Sequence, residues 1–296
     1  MTISAARTSE LDEAFALLYG PGTPDLSGHL AHAFRLVARG ELDPDNLLVA
    51  RSDAAIIGAV FCQRLAGAIA VIWPPRAVDD VPAVEDALTA AALRHVAGVK
   101  VVQAFLPPEE ARRAESLLRA GFRHVARVWE MSREPLAVTK LGGAARITLV
   151  PYTDCNPHEF LDVLMRCHDD SLDCPELHGI RDGQEMLKGY RECASDPSRW
   201  WLAKEGSESV GVLILGGDEL SFVGVLPERR GRGIGRALVN AACAAGPVRS
   251  VTVDARNVPA VQLYRAAGFE TVAVRDVYLA TLPRSAGARD VNPSQI

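Results

Sequence analysis

Residues 229–246, RRGRGIGRALVNAACAAG, place glycines at 231, 233 and 235 among arginines at 229, 230, 232 and 236. Before them ELSFVGVL (219–226) reads as a strand ended by Pro227. After them Ile234, Leu238, Ala241, Ala242 and Ala245 recur at helical spacing until Gly246-Pro247 stops the helix. Glycines let backbone approach a ligand and leave amide N–H groups unobstructed. A helix N-terminus adds unpaired donors and the positive end of its dipole. With the arginines, this is a seat for a phosphorylated ligand; the plainer alternative is a solvated basic turn. Neither Gly231 nor Gly233 opens a G-x-G-x-x-G dinucleotide fingerprint, and no Gly-Lys-Ser/Thr follows, so the usual nucleotide loops are excluded.

The downstream segment extends the pattern. VRSVTVDA (248–255) reads as a strand, followed by Asn257, Ala260, Leu263-Tyr264 and Gly268-Phe269. The combination R-x-x-G-x-G at Arg230, Gly233 and Gly235, after Val225-x-Pro227-Glu228, resembles the coenzyme A signature of the GNAT superfamily of N-acetyltransferases. The Asn257 to Phe269 segment resembles that family's second motif, and the resemblance covers roughly residues 147–282.

The resemblance implies an acyl-CoA-dependent N-acyltransferase with acetyl-CoA as co-substrate and no metal. The amides of Arg230, Gly231, Arg232, Gly233, Ile234, Gly235 and Arg236 would hold the pyrophosphate. Val223 and Val225 would offer backbone groups to the pantetheine arm and thioester, with Asn257 beside them. Tyr264 stands where the family often has a general acid for the departing thiolate; the alternative is a packed aromatic on an amphipathic helix. If 219–226 is a strand, period two puts Glu219, Ser221, Val223 and Val225 on one face. Glu219 is then a candidate base, or equally a surface residue at a strand start. Water-mediated deprotonation would need neither.

The acceptor region implied by the resemblance is FLDVLMRCHDDSLDCPELHGIRDG (160–183). Asp170, Asp173 and Glu176 either draw a cationic amine or serve as turn residues. The acceptor is expected to be a small-molecule or peptide amine of unspecified identity. Cys167, His168, Asp173, Cys174 and His178 match no standard zinc spacing, so no metal is expected.

These elements need a frame, and the chain supplies it twice. LLVARSDAAIIGAVF (47–61) aligns without a gap on WWLAKEGSESVGVLI (200–214), with Gly58 on Gly211. Each reads as a hairpin. AESLLRAGFRHVARV (114–128) echoes AVQLYRAAGFETVAV (260–274) in the same order. The expected architecture is α/β (α+β): two tandem GNAT-like domains, each a mixed, mostly antiparallel twisted sheet flanked by helices. Residues 1–135 form the first, 136–146 a linker bearing Gly142 and Gly143 just after Pro135, 147–282 the catalytic domain and 283–296 a disordered tail.

In the first copy the counterpart of the phosphate turn is PRAVDDVP (75–82), without glycine and with Asp79 and Asp80 where phosphate would sit. Leu117 or Leu118 replaces the tyrosine. This copy reads as non-catalytic, and the layout resembles that of the mycothiol synthases.

The 296 residues suit two domains, and 48% hydrophobic with 23% charged residues suits a chain that buries a core. A net charge of -5 argues against nucleic-acid binding. With no long apolar run and no basic-then-apolar leader, no membrane partner and a cytoplasmic location are expected. The alternative function is a non-catalytic acyl-CoA sensor or partner-binding protein on the same fold. Oligomeric state is not readable from the sequence.

Overall fold

The computed structural model describes residues 1–20, 22–134, 141–154 and 156–282. The first half runs β1 (Thr2–Ala5), α1 (Leu11–Tyr19), α2 (Leu26–Ala38), β2 (Leu47–Ser52), β3 (Ala55–Leu65), β4 (Ile69–Ala77), α3 (Pro82–His95), β5 (Val101–Leu106), α4 (Glu115–Arg119) and β6 (Arg123–Ser132). The second half repeats that order: β7 (Thr148–Pro151), α5 (Pro157–Arg166), α6 (Gly183–Cys193), β8 (Trp200–Glu205), β9 (Glu208–Gly216), β10 (Glu219–Val225), α7 (Ile234–Ala244), β11 (Ser250–Asp254), α8 (Val258–Ala266) and β12 (Glu270–Thr281).

The duplication extends to strand register. Ala50 pairs with Gly58 in the β2–β3 hairpin, and Ala203 pairs with Gly211 in β8–β9. The register then slips between Ala50 and Arg51 in one and between Ala203 and Lys204 in the other, at the two positions the sequences align. The aligned glycines also answer the same crowding. A Cβ on Gly58 would lie 2.8 Å from Leu88 Cδ1 of α3, and one on Gly211 would lie 2.4 Å from the Gly224 carbonyl and 3.4 Å from Leu238 Cδ1 of α7.

The chain forms two compact units: Met1–His124 together with the chain from Tyr278 on, and Val125–Val277. Each is a mixed sheet with helices against it. In the first, β1 to β4 are antiparallel neighbours and β5 joins β4 in parallel. Leu88 and Ala92 of α3 pack on one face with Val60 and Ile72; Phe15 and Leu18 of α1 pack with Leu47, Val49 and Phe61. The second unit follows the same plan from β7 to β11. Leu238 and Val239 of α7 cover Leu213 and Leu215, and Phe160 and Leu164 of α5 pack with Trp200 and Ile214.

The unit boundaries differ from the division expected at 135 and 147. Val128 to Ser132 of β6 pair antiparallel with Asp254 to Ser250 of β11, so β6 belongs to the second unit. Arg133 carries this attachment further. Its N–H donates to the Arg249 carbonyl at 2.8 Å, and its buried guanidinium donates to the Ala267 carbonyl at 3.0 Å. Conversely, Tyr278 and Ala280 of β12 enter the core of the first unit. A strand after Gly-Phe is visible in the sequence, but the edge it joins is set by tertiary pairing.

Of the expected linker 136–146, residues 141–146 are held in the second unit: Leu141 is buried and exchanges two hydrogen bonds with the Asn240 amide. Residues 135–140 and the expected disordered tail lie outside the described residues. Among the described residues no helix is long and apolar enough to cross a membrane.

Gly211→Ala is expected to destabilise the protein by about 1–3 kcal/mol through overpacking. The obstacle is a backbone carbonyl of the neighbouring strand and not a side chain that can swing away. A lower urea midpoint with an unchanged slope checks this.

Candidate active site

In a parallel pair, evenly spaced hydrogen bonds hold the strands together along their length. Strands β10 and β11 are paired in parallel only at Glu219 and Ser250 and then part. A cavity of about 720 Å³ opens in the second unit, with Val223 and Val225 on one side and Val251 and Val253 on the other.

At one end lies the turn from Arg229 to Arg236. Gly231 and Gly233 have φ of 76° and 81°, the left-handed region where glycine carries no steric penalty. Gly233 is constrained twice, because a Cβ there would lie 2.3 Å from the Gly143 carbonyl. The N–H groups from Gly231 to Arg236 have no hydrogen-bond acceptor among the described residues. They lie at the N-terminus of α7, where the helix dipole favours an anion.

The arginines of the turn divide into two kinds. Arg229 pairs with Glu205 and Glu208. Arg230 is a correction to the expected phosphate-binding set: its N–H donates to the Pro227 carbonyl at 3.2 Å. Its guanidinium donates to four carbonyls, Val225 (3.1 Å), Asp170 (2.9 Å), Cys167 (3.1 Å) and Asp169 (2.7 Å). A planar fork of donors suits such a cluster of acceptors, so Arg230 holds the α5–α6 loop to the end of β10. The Val225 carbonyl is thereby occupied. Arg232 and Arg236 have no carboxylate partner among the described residues, and Arg236 lines the cavity.

Asn257 and Tyr264 of the second motif both line the cavity. Asn257 Oδ1 caps α8 by accepting from the Ala260 N–H at 3.3 Å. Tyr264 is buried and packs edge-on to Phe269, their centroids 5.9 Å apart. Burial, with a smaller contribution from the Asp173 charge, raises its phenol well above the usual range, so it stays protonated and can donate.

Glu219 does not share the face of Val223 and Val225. The register of β10 against β9 slips between Leu220 and Phe222: Leu220 pairs with Leu215, and Phe222 with the adjacent Ile214. Ser221 is the inserted residue of this bulge, and one extra residue exchanges the two faces. Leu220, Val223 and Val225 therefore face one core, while Glu219 falls in phase with Phe222 and Gly224 and is not among the residues lining the cavity.

The acidic residues of the α5–α6 loop are largely committed to structure. Asp173 accepts from the Asp254 N–H at 2.8 Å, and both oxygens of Glu176 accept from the Arg256 guanidinium at 2.7 and 2.9 Å. The fully buried Asp254 accepts from the Cys174 N–H at 3.2 Å and from Arg256. Asp170 lines the cavity with an exposed side chain and φ of 52°. Among the described residues no three His, Cys, Asp or Glu side chains gather as metal ligands.

The far end of the cavity contains residues to which the sequence assigned no site role: His168, Tyr190, Ser221 and Phe222. His168 stacks on Phe222 at 4.9 Å, and Tyr190 tilts against Phe222 at 5.7 Å. Ser221 carried no local signal, since only the bulge brings it here.

Residues 196–271 match the family described as "Acetyltransferase (GNAT) domain". This stretch of the second unit is thus similar to a GNAT acetyltransferase domain. Among curated proteins the chain is 28% identical over 196 residues to a mycothiol acetyltransferase from Beutenbergia cavernae, covering 58% of this chain and 63% of that one. It is 31% identical over 78 residues to the peptidyl-lysine N-acetyltransferase YjaB from Escherichia coli, covering 26% of this chain and 53% of that one. The chain thus spans less than two thirds of the length of these relatives.

Among solved structures, a GCN5-related N-acetyltransferase from Sphaerobacter thermophilus superposes with a TM-score of 0.56 at 16% identity, covering 95% of both chains. A conserved protein of unknown function from Staphylococcus epidermidis gives 0.51 at 17% identity, covering 78% of this chain and 92% of that one. These likenesses show the fold. The GNAT match begins just before β8 and ends at the start of β12, so it takes in the hairpin, the phosphate turn and both motifs.

Arg230→Lys keeps the charge but loses the fork of donors. It is expected to cost about 1–2 kcal/mol and to speed amide hydrogen exchange across residues 167–178 of the second unit more than elsewhere. Uniform exchange across the domain would contradict the clamp.

Proposed function

We propose that the second unit is the catalytic domain of an acyl-CoA-dependent N-acyltransferase that moves an acetyl group from acetyl-CoA to a primary amine by direct attack. One observation carries this reading: the parting of β10 and β11 opens a cavity that runs from the N–H groups of Gly231 to Arg236 to the aromatic wall of His168 and Phe222. A pyrophosphate fits the first end, where Arg232 and Arg236 add charge. An extended thiol arm fits the apolar passage between Val223 and Val253, beside Asn257 and Tyr264.

The division of labour follows. Glycine-lined amides and the α7 dipole bind the diphosphate without desolvating a buried cation. Strand β10 faces the thioester with backbone groups no longer taken by β11, and preorganised donors at the developing oxyanion lower the barrier. The Tyr264 phenol, kept protonated by burial, donates to the departing thiolate. A positioned acid of this kind contributes roughly 10²–10⁴-fold.

The first unit lacks this machinery, which supports a non-catalytic role for it. Strands β4 and β5 stay paired at three successive positions, Ile69 to Val71 with Val101 to Gln103. The Arg113 guanidinium donates to the Pro74 and Leu18 carbonyls at 3.1 Å each, so the Pro74 carbonyl of β4 is occupied. Its counterpart of the phosphate turn carries Asp79 and Asp80 and leads into Pro82, which has no N–H. The names of the relatives, an acetyltransferase of mycothiol and one of peptidyl-lysine, support a small-molecule or peptide amine as acceptor.

Titration calorimetry with acetyl-CoA is expected to give one site per chain. A Cβ on Gly235 would meet only Leu263 Cδ2, at 3.4 Å, so Gly235→Asp tests the seat without an obvious clash. Its carboxylate is expected to weaken acetyl-CoA binding by at least about tenfold, roughly 1.4 kcal/mol. Tyr264→Phe is expected to lower kcat by about 10²-fold with acetyl-CoA affinity unchanged. Two sites would show that the first unit binds as well, and no binding would overturn the reading.

A further inference from the structure

Two polar atoms at the acceptor end of the cavity are buried and have no hydrogen-bond partner among the described residues: His168 Nε2 and Ser221 Oγ. Both residues line the cavity. A buried polar atom left unpaired costs about 1–3 kcal/mol, so two of them in one cavity mark a place for a ligand's polar group. Their positions have structural causes. Ser221 is there because the bulge in β10 inserts it, and His168 is fixed by stacking on Phe222. The Arg230 clamp on the Cys167 and Asp169 carbonyls holds the residues on either side of His168.

The competing bases are accounted for. Glu219 is not among the residues lining the cavity, Asp173 lines it but accepts from the Asp254 N–H of β11, and Glu176 accepts from the Arg256 guanidinium. The Tyr190 phenol is raised by burial and remains a donor. Asp170 has an exposed side chain at the rim, free of the aromatic wall.

We propose that His168 and Ser221 form the acceptor subsite, with the His168 imidazole taking the proton of a weakly basic amine as its nitrogen attacks the thioester. This rests on the N-acyltransferase reading. The amine lone pair forms the C–N bond, the C–S bond breaks and its electrons leave on sulfur. The N–H proton passes to His168 Nε2 while Ser221 Oγ holds the amine. Tyr264 protonates the thiolate, and its phenolate is restored through solvent by the proton His168 carried, so the products are the amide and the free thiol.

The class of amine follows from what surrounds His168. Burial first, then His178 and Arg181, pull the imidazole down to about 4, so it is neutral and has a lone pair to offer. Surroundings that disfavour one cation disfavour another. An α-amine, ordinarily about 7.7–8.0, gives up its proton more readily there than an alkyl amine of the lysine type, ordinarily about 10.4. The wall of His168, Phe222 and Tyr190 suits an apolar body behind such an amine.

The test compares the full-length protein with His168→Gln and Ser221→Ala, using phenylalaninamide (free α-amine) and Nα-acetyl-lysinamide as acceptors and measuring thiol release. Phenylalaninamide is expected to be the better acceptor for the unaltered protein. His168→Gln is expected to lower its kcat/KM by about 10²-fold or more and Ser221→Ala by about tenfold, with acetyl-CoA affinity within twofold by calorimetry, which also reports that the variants fold. Unchanged kcat/KM in His168→Gln, or a preference for the lysine derivative, would overturn the subsite while leaving the N-acyltransferase reading intact. Absence of thiol release from the unaltered protein with either amine, despite acetyl-CoA binding, would overturn both.

Discussion

The second unit depends on a single constraint: two parallel strands that pair at one residue and then separate. A strand that loses its neighbour exposes backbone donors and acceptors that must find other partners. Near the turn, Arg230 takes the Val225 carbonyl. Along the middle, β10 is left facing a cavity between apolar walls. The strand thus remains polar along its open edge inside an otherwise hydrophobic core, the combination that a polar carbonyl in an apolar arm requires.

Holding two strands apart needs fastening elsewhere. The α5–α6 loop is tied to β10 through Arg230 and to β11 through Asp254, Asp173 and the Arg256–Glu176 pair. The fully buried Asp254 is tolerable because its oxygens accept from backbone N–H groups and a guanidinium. The first unit shows the other solution to the same topology, with the strands paired further and an arginine occupying a β4 carbonyl.

Much of this was legible in the sequence because it is local. Glycine spacing at 231, 233 and 235, the apolar period of α7 and the Asn257 cap all belong to short segments, and the aligned Gly58 and Gly211 carried the repeat. What was not legible depends on distant partners. Period two placed Glu219 with Val223, and a one-residue bulge at Ser221 removed it. Arg230 stood in a phosphate motif, yet its guanidinium serves carbonyls some 60 residues earlier in the chain. The acids of the α5–α6 loop could be counted but not assigned, since their N–H and guanidinium partners come from β11 and the residues just after it. His168 lay in plain view among those acids; its placement depends on stacking against Phe222, beside the bulge.

The destinations of β6 and β12 bear on how far the two halves of the sequence can be separated. β6, encoded in the first half, completes the pairing of β11, and the last residues of β12, encoded in the second half, fill the core around Phe122. Each unit therefore contains chain from both halves of the gene. A deletion of the first half would strip a strand from the second unit, and the first unit cannot close its core until the final strand has left the ribosome. With the ends exchanged in this way, neither half of the sequence holds a complete unit, and a change in one half is felt in the fold of both.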